Sequence, residues 1–512
     1  MKRFWLSICV AMPVMTVWLA AQLHIYDITW SQESDFCIWV SLAQQLLDFG
    51  LSPGELVTNY NRSIGDLLLA LPEVVLFGLN TKVAFLSFAL PYAVAFTLAG
   101  SLVAWRREGG KWRFDVFAFV LFNLLVGSLF QHNTGHPLTF TFAVMVYYVF
   151  SMEDRIGEKV KWIVLMGASF LGYLNDDFFV LMAILPVVGL NALQWLSGRR
   201  LNPLSIPVLL GAGMGLGMLK LLYALQLVAY PRLETSLYPF DKMCAMLVET
   251  VKAYASNFAL LDLLGIPLTA SVALRLAAYG TVAGLSVLAV VYVARRVISS
   301  RSSPSHDLDV IILLAICAVT GAYALVASST KPIDVMVPRY VYYGMVLMLF
   351  LLARWWRMIL PAKRMRVLAV ALVVLAAGFL FKANIVGNWA NIRAHHRFDE
   401  VAEMIRKEGL HVAYCEWWTA KAIEAASNGA LRVYPLAPVP TQVEPAGCFY
   451  LRRVFGERCH AVVIPNYRAH YPADVAEATI RSRIGSPDKE LSTEWFKIFI
   501  YKKNIALSSK AD

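Results

Sequence analysis

Residues 270–296 read ASVALRLAAYGTVAGLSVLAVVYVARR. From Ala270 to Ala294 the only charge is Arg275, and the run then stops at Arg295 and Arg296, with Arg301 close behind. About twenty predominantly apolar residues, rising about 1.5 Å each in a helix, cross the hydrocarbon core of a bilayer. A basic stop after such a run marks its cytoplasmic end. Working outward, the same pattern recurs near 5–23, 83–104, 114–130, 137–151, 161–174, 178–196, 205–226, 309–328, 339–353 and 366–385. The expectation is therefore a membrane all-α fold of about eleven transmembrane helices with outer interfacial helices. Composition agrees: 58% of the 512 residues are hydrophobic and only 16% charged, where soluble chains carry about a quarter. The formal net charge of +11 sits in short loops between apolar runs. That is a topological signature, and it argues against a nucleic-acid partner.

Orientation follows from the basic loops. Arg106, Arg107, Lys111 and Arg113 form one cluster; Arg155, Lys159 and Lys161, then Arg199 and Arg200, form the next two. Arg354, Arg357, Lys363, Arg364 and Arg366 form a later one. The alternate loops QHNTGH (131–136) and NDD (175–177) carry no Lys or Arg. Residues 65–79 are apolar but short, and they contain Asp66, Pro72 and Glu73. They read as an interfacial or re-entrant helix, and counting them as a span would put the 106–113 cluster outside. The expected domains are a transmembrane domain, 1–385, with outer loops 24–82 and 227–268, and an extracytoplasmic domain, 386–512. Strands and helices alternate in the tail: helix 398–408, strand 411–415, helix 417–427, strands 430–434 and 460–465, helix 473–484 and strand 494–502. That alternation suggests a small α/β layer. The expected location is a multi-pass inner membrane, with the tail periplasmic. Cys448 and Cys459 are spaced to close a short loop, or stay free and buried. No C-x-x-C pair indicates zinc.

Ionisable residues at membrane level are costly and mark function by default. On the outer side these are Glu33, Asp35, Asp66, Glu73, Asp176 and Asp177, with the cations Lys220, Arg275, Lys331 and Arg339. Each has a structural alternative. Asp35 is a catalytic base or a helix cap; Asp176 and Asp177 hold substrate or metal, or form a turn; Arg339 grips a lipid phosphate or snorkels. His132 and His136 meet sugar hydroxyls or a metal, or simply sit in a polar turn. Trp417 and Trp418 stack on a sugar or pack the tail on the membrane.

SDFCIWVSLAQQLLDFG (34–50) resembles the first outer loop of the GT-C superfamily of polytopic glycosyltransferases, in the register Asp35, Phe36, Trp39, Ala43, Leu46, Leu47, Gly50. GDLLLALPEVVLFGLNTKVAFLSFALPYAVAFTLAGSLVAWRR (65–107) is similar to the stretch that follows there, and VPRYVYYGMVLMLFLLARWW (337–356) to the family's Arg-Tyr entry into a late helix, here Arg339 and Tyr340. YCEWWTAKAIEAASNGALRVYP (414–435) looks like the outer domain of some bacterial members. The chain departs from the family in having Asp35-Phe36 where an Asp-Glu doublet is usual, which leaves Glu33 as the second acid, and in lacking the early proline motif. The resemblance implies sugar transfer, inverting or retaining, from a polyprenyl-phosphate donor to a lipid, glycan or protein acceptor on the outer face. Asp35 or Glu33 would be the base, and Arg339, Tyr340, Lys331, Lys220, Arg275, Asp176, Asp177 and His136 would hold substrate. No cofactor is implied beyond a divalent metal ion, whose use is left open. A flippase of lipid-linked glycan and an envelope assembly protein are the competing classes.

Overall fold

The computed structural model describes residues 33–50, 56–57, 64–104, 137–151, 157–228, 235–258, 260–264, 266–299, 307–328, 341–381, 396–436, 450–451, 458–466 and 477–505. The described residues are mostly helical, with a small mixed sheet and two short strand pairs. Three helices among the described residues are long and apolar enough to cross a membrane: Ser205–Ala224, Ala270–Ser299 and Asp307–Leu325. Shorter apolar helices lie at Leu90–Val103, Leu138–Ser151 and Val180–Leu196. This is fewer than the expected eleven; the segments 5–23 and 114–130 fall outside the described residues. The residues form two compact units, one drawing on 91–218 and 235–381, the other on 33–90, 219–228 and 396–505.

The first unit is built around Tyr342–Ile359, in which every residue from Tyr342 to Ala353 is buried. A helix that is apolar and enclosed on all sides is a bundle centre. Ala270–Ser299 and Asp307–Leu325 pack against it. Helix Glu158–Asn175 packs on Ser205–Ala224 backbone to backbone: a Cβ on Gly211 would fall on the Met166 carbonyl, and one on Gly215 would come within 3.0 Å of the Phe170 carbonyl. Gly213 and Gly217 face open space. Small residues four apart at a close crossing are the packing device of membrane helices, where burial against lipid supplies no drive. The outward face of Ser205–Ala224 is apolar, with Leu209, Leu210, Met214 and Leu221 exposed.

Two boundaries differ from the sequence reading. The helix expected over 309–328 ends at Leu325, and Val326–Ser328 pairs antiparallel with Thr235–Leu237. Val180–Ile184 is a π turn opening helix Leu185–Leu196, where an uninterrupted span was expected. The Tyr147 hydroxyl donates to the Met182 carbonyl inside that turn, satisfying a backbone group that the wider turn leaves available.

The second unit joins residues 33–90 to the tail. Its five-stranded sheet runs, in spatial order, 432–436, 412–416, 461–465, 496–500, 489–492. The first three strands are parallel and the last two antiparallel. The strand expected over 494–502 is present as Phe496–Ile500, and Lys489–Ser492, which was not expected, pairs with it as a hairpin. One face of the sheet packs on helix His396–Lys407 through Phe398, Val401 and Ile405. The other shares a core with helices Glu33–Phe49 and Ile64–Phe77, where Val40, Ala43, Leu67 and Val74 meet Tyr414, Tyr434 and Phe499. Leu56–Val57 also pairs with Tyr450–Leu451. Ile64–Phe77 has 14 residues, too few to span, as its reading as an interfacial helix requires. Cys459 is buried, and Cys448 lies outside the described residues.

Candidate functional site

Glu33 and Asp35 open the Glu33–Phe49 helix; their side chains lie outside the described residues. What is described is how the helix is held. Its ending follows from Gly50, at φ +69°, whose N–H closes on the Leu46 carbonyl at 2.8 Å; glycine takes this left-handed cap without steric cost. Midway along, the buried Ser41 hydroxyl donates to Glu424 Oε1. Glu424 Oε2 accepts from Lys421 Nζ at 2.9 Å and from the Val433 N–H at 3.1 Å. Lys421 also donates to the Val433 carbonyl at 3.3 Å. Lys421 and Glu424 are each 2% exposed, so this is a buried ion pair whose charges are compensated by several hydrogen bonds. At the helix end, Arg432 lies over the Phe49 ring at 4.3 Å and 3.7 Å from Asp48. The network ties helix 33–49 to helix Trp417–Ala426 and to the strand Arg432–Leu436. Neither Lys421 nor Glu424 was singled out from the sequence. The available signal was a Lys and a Glu three residues apart in the small, apolar stretch TAKAIEAA.

The NDD turn belongs to the first unit. Helix Glu158–Asn175 stops because Asp176 turns extended, at φ −162° and ψ 142°, with its N–H still on the Gly172 carbonyl at 3.1 Å. Asp176 then starts the next helix: its Oδ1 accepts the Phe178 N–H at 2.9 Å, the role of a cap. A Cβ on Gly172 would meet the Phe179 ring at 2.5 Å, so the hairpin closes tightly. Asn175 Nδ2 donates to Thr139 Oγ1 at 3.0 Å. Asp176 is buried and Asp177 exposed. Of the two, Asp177 is the one presented to solvent.

The entry of helix Tyr342–Ile359 meets this turn. Tyr343 stacks on Phe140 at 4.7 Å, contacts Phe178 at 5.7 Å and shares a 3.1 Å hydrogen bond with Tyr92. The Asp176 carboxylate lies within electrostatic reach of its phenol. The NDD turn and the end of VPRYVYYG are thereby brought together at Tyr343. Arg339, Tyr340, Lys331, His132 and His136 themselves lie outside the described residues, as do the side chains of Trp417 and Trp418. Arg275 is half-buried within helix 270–299, with a solvent-shielded Nε that has no hydrogen-bond partner. Lys220 is exposed in the second unit. Asp35 and the NDD turn belong to different units.

In the second unit Asp66 and Glu73, two helical turns apart, are both buried. Glu73 is hydrogen-bonded to Ser87, which favours its charged form, but burial is the larger effect and raises its carboxyl above the usual range. Its Oε2 has no partner. Among the described residues no three His, Cys, Asp or Glu side chains cluster to hold a metal ion. No protein family, curated protein or solved structure matches the chain.

Proposed function

We propose that this protein is an integral membrane glycosyltransferase. It moves a sugar from a polyprenyl-phosphate donor to a lipid, glycan or protein acceptor at the outer face of the inner membrane. The observation that carries the reading is the clamping of helix 33–49, which has two acids in its first turn. Its middle is fixed by Ser41, Glu424 and Lys421 and its end by Asp48 and Arg432. A base must be held to within a fraction of an ångström, and a helix locked by buried partners does that better than a loop. In the proposed reaction Asp35, or Glu33, takes the proton of the acceptor hydroxyl. The acceptor oxygen bonds to the anomeric carbon as the bond to the phosphate oxygen breaks. Polyprenyl phosphate departs with the bonding electrons, a charge that an arginine suits through its planar donor fork. Arg339 and Arg275 are the candidates for that role. Asp176 and Asp177, of which Asp177 is the more exposed, are the candidates at the NDD turn for meeting a substrate.

The test is turnover of a radiolabelled polyprenyl-phosphate-sugar by the purified protein in vesicles. Asp35→Asn preserves size and hydrogen bonding but cannot accept the proton, so turnover should fall by about 10²- to 10⁴-fold with donor affinity intact. Movement of labelled lipid between leaflets without formation of polyprenyl phosphate would favour the flippase class instead. Normal turnover in both Asp35→Asn and Glu33→Gln would overturn the proposal.

A further inference from the structure

Helix Phe240–Asn257, in the second outer loop, has three faces where a helix between water and protein needs two. One face is buried: Met246, Thr250, Ala253 and Asn257 turn inward. The neighbouring Tyr254 bonds to the Thr320 hydroxyl at 2.8 Å and packs with Tyr323 and Val341. A second face is charged, with Asp241, Glu249 and Lys252, the last two paired at 2.7 Å. The third is apolar and uncovered. Phe240, Cys244, Leu247, Val248 and Val251 recur at the three- and four-residue spacing of one helical stripe. Phe240 is 85% exposed, Val251 69%, Val248 55% and Leu247 53%, and Cys244 is exposed as well.

We infer that this stripe lies in the acyl region of the outer lipid leaflet, making Phe240–Asn257 a membrane-embedded surface helix that anchors the second outer loop. Lipid is the occupant because the apolar surface continues into an element that itself requires lipid. After the short helix Leu260–Leu264, the exposed side chains Leu264, Ile266 and Leu268 lead directly into the membrane-length helix Ala270–Ser299. That helix exposes Val287 and Leu288 in its turn. Water on the charged face, protein on the buried face and lipid on the stripe give each of the three faces a matching environment. An interfacial helix of this kind sinks its apolar side about 5–10 Å into the boundary between headgroups and acyl chains. The inference is independent of the sugar-transfer reading.

The test uses the full chain in phosphatidylcholine–phosphatidylglycerol vesicles, with Cys9, Cys244, Cys317 and Cys448 replaced by serine. A bimane fluorophore is attached in turn at Leu247→Cys, Val251→Cys, Asp241→Cys and Lys252→Cys. At 247 and 251 the fluorescence should be lost to spin-labelled phosphatidylcholine and spared by aqueous iodide. At 241 and 252 the order should reverse. Iodide reaching all four positions equally would overturn the inference. So would a disulfide-linked dimer forming through 247 or 251 in the membrane, which would assign the stripe to a second copy. Unmodified protein gives a second reading. A membrane-impermeant maleimide, followed by mass spectrometry of the Cys244 peptide, should label that residue slowly in vesicles and rapidly once detergent strips the lipid; equal rates would count against embedding.

Discussion

At the scale of single residues, the acids and bases inside this chain are held at very different energies. Asp309 is paired with Arg354 at 2.7 Å, with 3% and 12% of the side chains exposed, and Arg354 also reaches the Leu102 carbonyl at 3.4 Å. Removing one partner of such a pair leaves an uncompensated buried charge. Arg354→Met is therefore expected to cost about 3–5 kcal/mol, and adding Asp309→Leu should recover most of it. A double-mutant cycle on unfolding in detergent measures the difference; simple additivity would mean the pair is not coupled. Glu73 is the opposite case, a carboxylate oxygen buried without a partner. Its carboxyl is raised in the folded state, so the folded chain binds the extra proton. The stability Glu73 contributes is fully present below its unfolded pKa and is lost as pH rises through the raised folded value. Glu73→Gln should abolish that loss. The variant should be the more stable at neutral pH, with the advantage shrinking towards pH 4.5, near the unfolded value. Melting curves of both proteins across that range check it, and parallel curves would show that Glu73 does not titrate with folding.

At the scale of elements, what could be read in advance was whatever repeats locally. The apolar runs announced Ser205–Ala224, Ala270–Ser299 and Asp307–Leu325 to within a few residues. Features set by a distant partner were not legible. Ser41 and Glu424 are 383 residues apart, and neither has a neighbour in sequence that points to the other. Val326–Ser328 is as apolar as the helix before it; only its pairing with Thr235–Leu237 makes it a strand. The π turn at Val180–Ile184 has its Met182 carbonyl met by Tyr147 from another helix. The candidate acids were legible as residue types, because charge is rare in such a chain, whereas the buried position of Asp176 and the exposed one of Asp177 come from a tertiary turn. The glycines of GAGMGLG (211–217) carry the same lesson into a test. All four look alike in sequence, but Gly211 and Gly215 touch backbone while Gly213 and Gly217 touch nothing. Gly211→Ala should destabilise by about 1–3 kcal/mol through overpacking. Gly213→Ala should be neutral or stabilising, since alanine is the better helix former by about 1 kcal/mol. Thermal unfolding of the two variants in detergent separates them, and equal effects would remove the close crossing from the account.

At the scale of the whole molecule, charge and contact give independent arguments for one topology. Basic residues mark the start of Ser205–Ala224 (Arg199, Arg200), the end of Ala270–Ser299 (Arg295, Arg296), the end of Tyr342–Ile359 (Arg354, Arg357) and the start of Lys363–Phe381 (Lys363, Arg364, Arg366). If every basic end is cytoplasmic, the helices alternate in direction, and the segments after 224, after 325 and after 381 all emerge on the outer side. Contacts pair some of the same segments without reference to charge. Thr235–Leu237 and Val326–Ser328, which follow the first two of those exits, are hydrogen-bonded to each other. Within the second unit, helix Glu33–Phe49, the 219–228 segment and the tail sheet share one core, through Val40, Val228 and Tyr434 among others. Segments that share a core cannot lie on opposite sides of a bilayer, so an outer first loop obliges an outer tail. Alkaline phosphatase fused after Lys382 or at the C-terminus should therefore be active, because it folds only outside the cytoplasm, and the same fusion at Gly109 should be inactive. A fluorescent protein that matures only in the cytoplasm should report the reverse at each position. A tail found on the same side as Gly109 would contradict the charge argument. It would also undo the proposed reaction, since the clamp on helix 33–49 would then hold its acids away from a donor presented at the outer face.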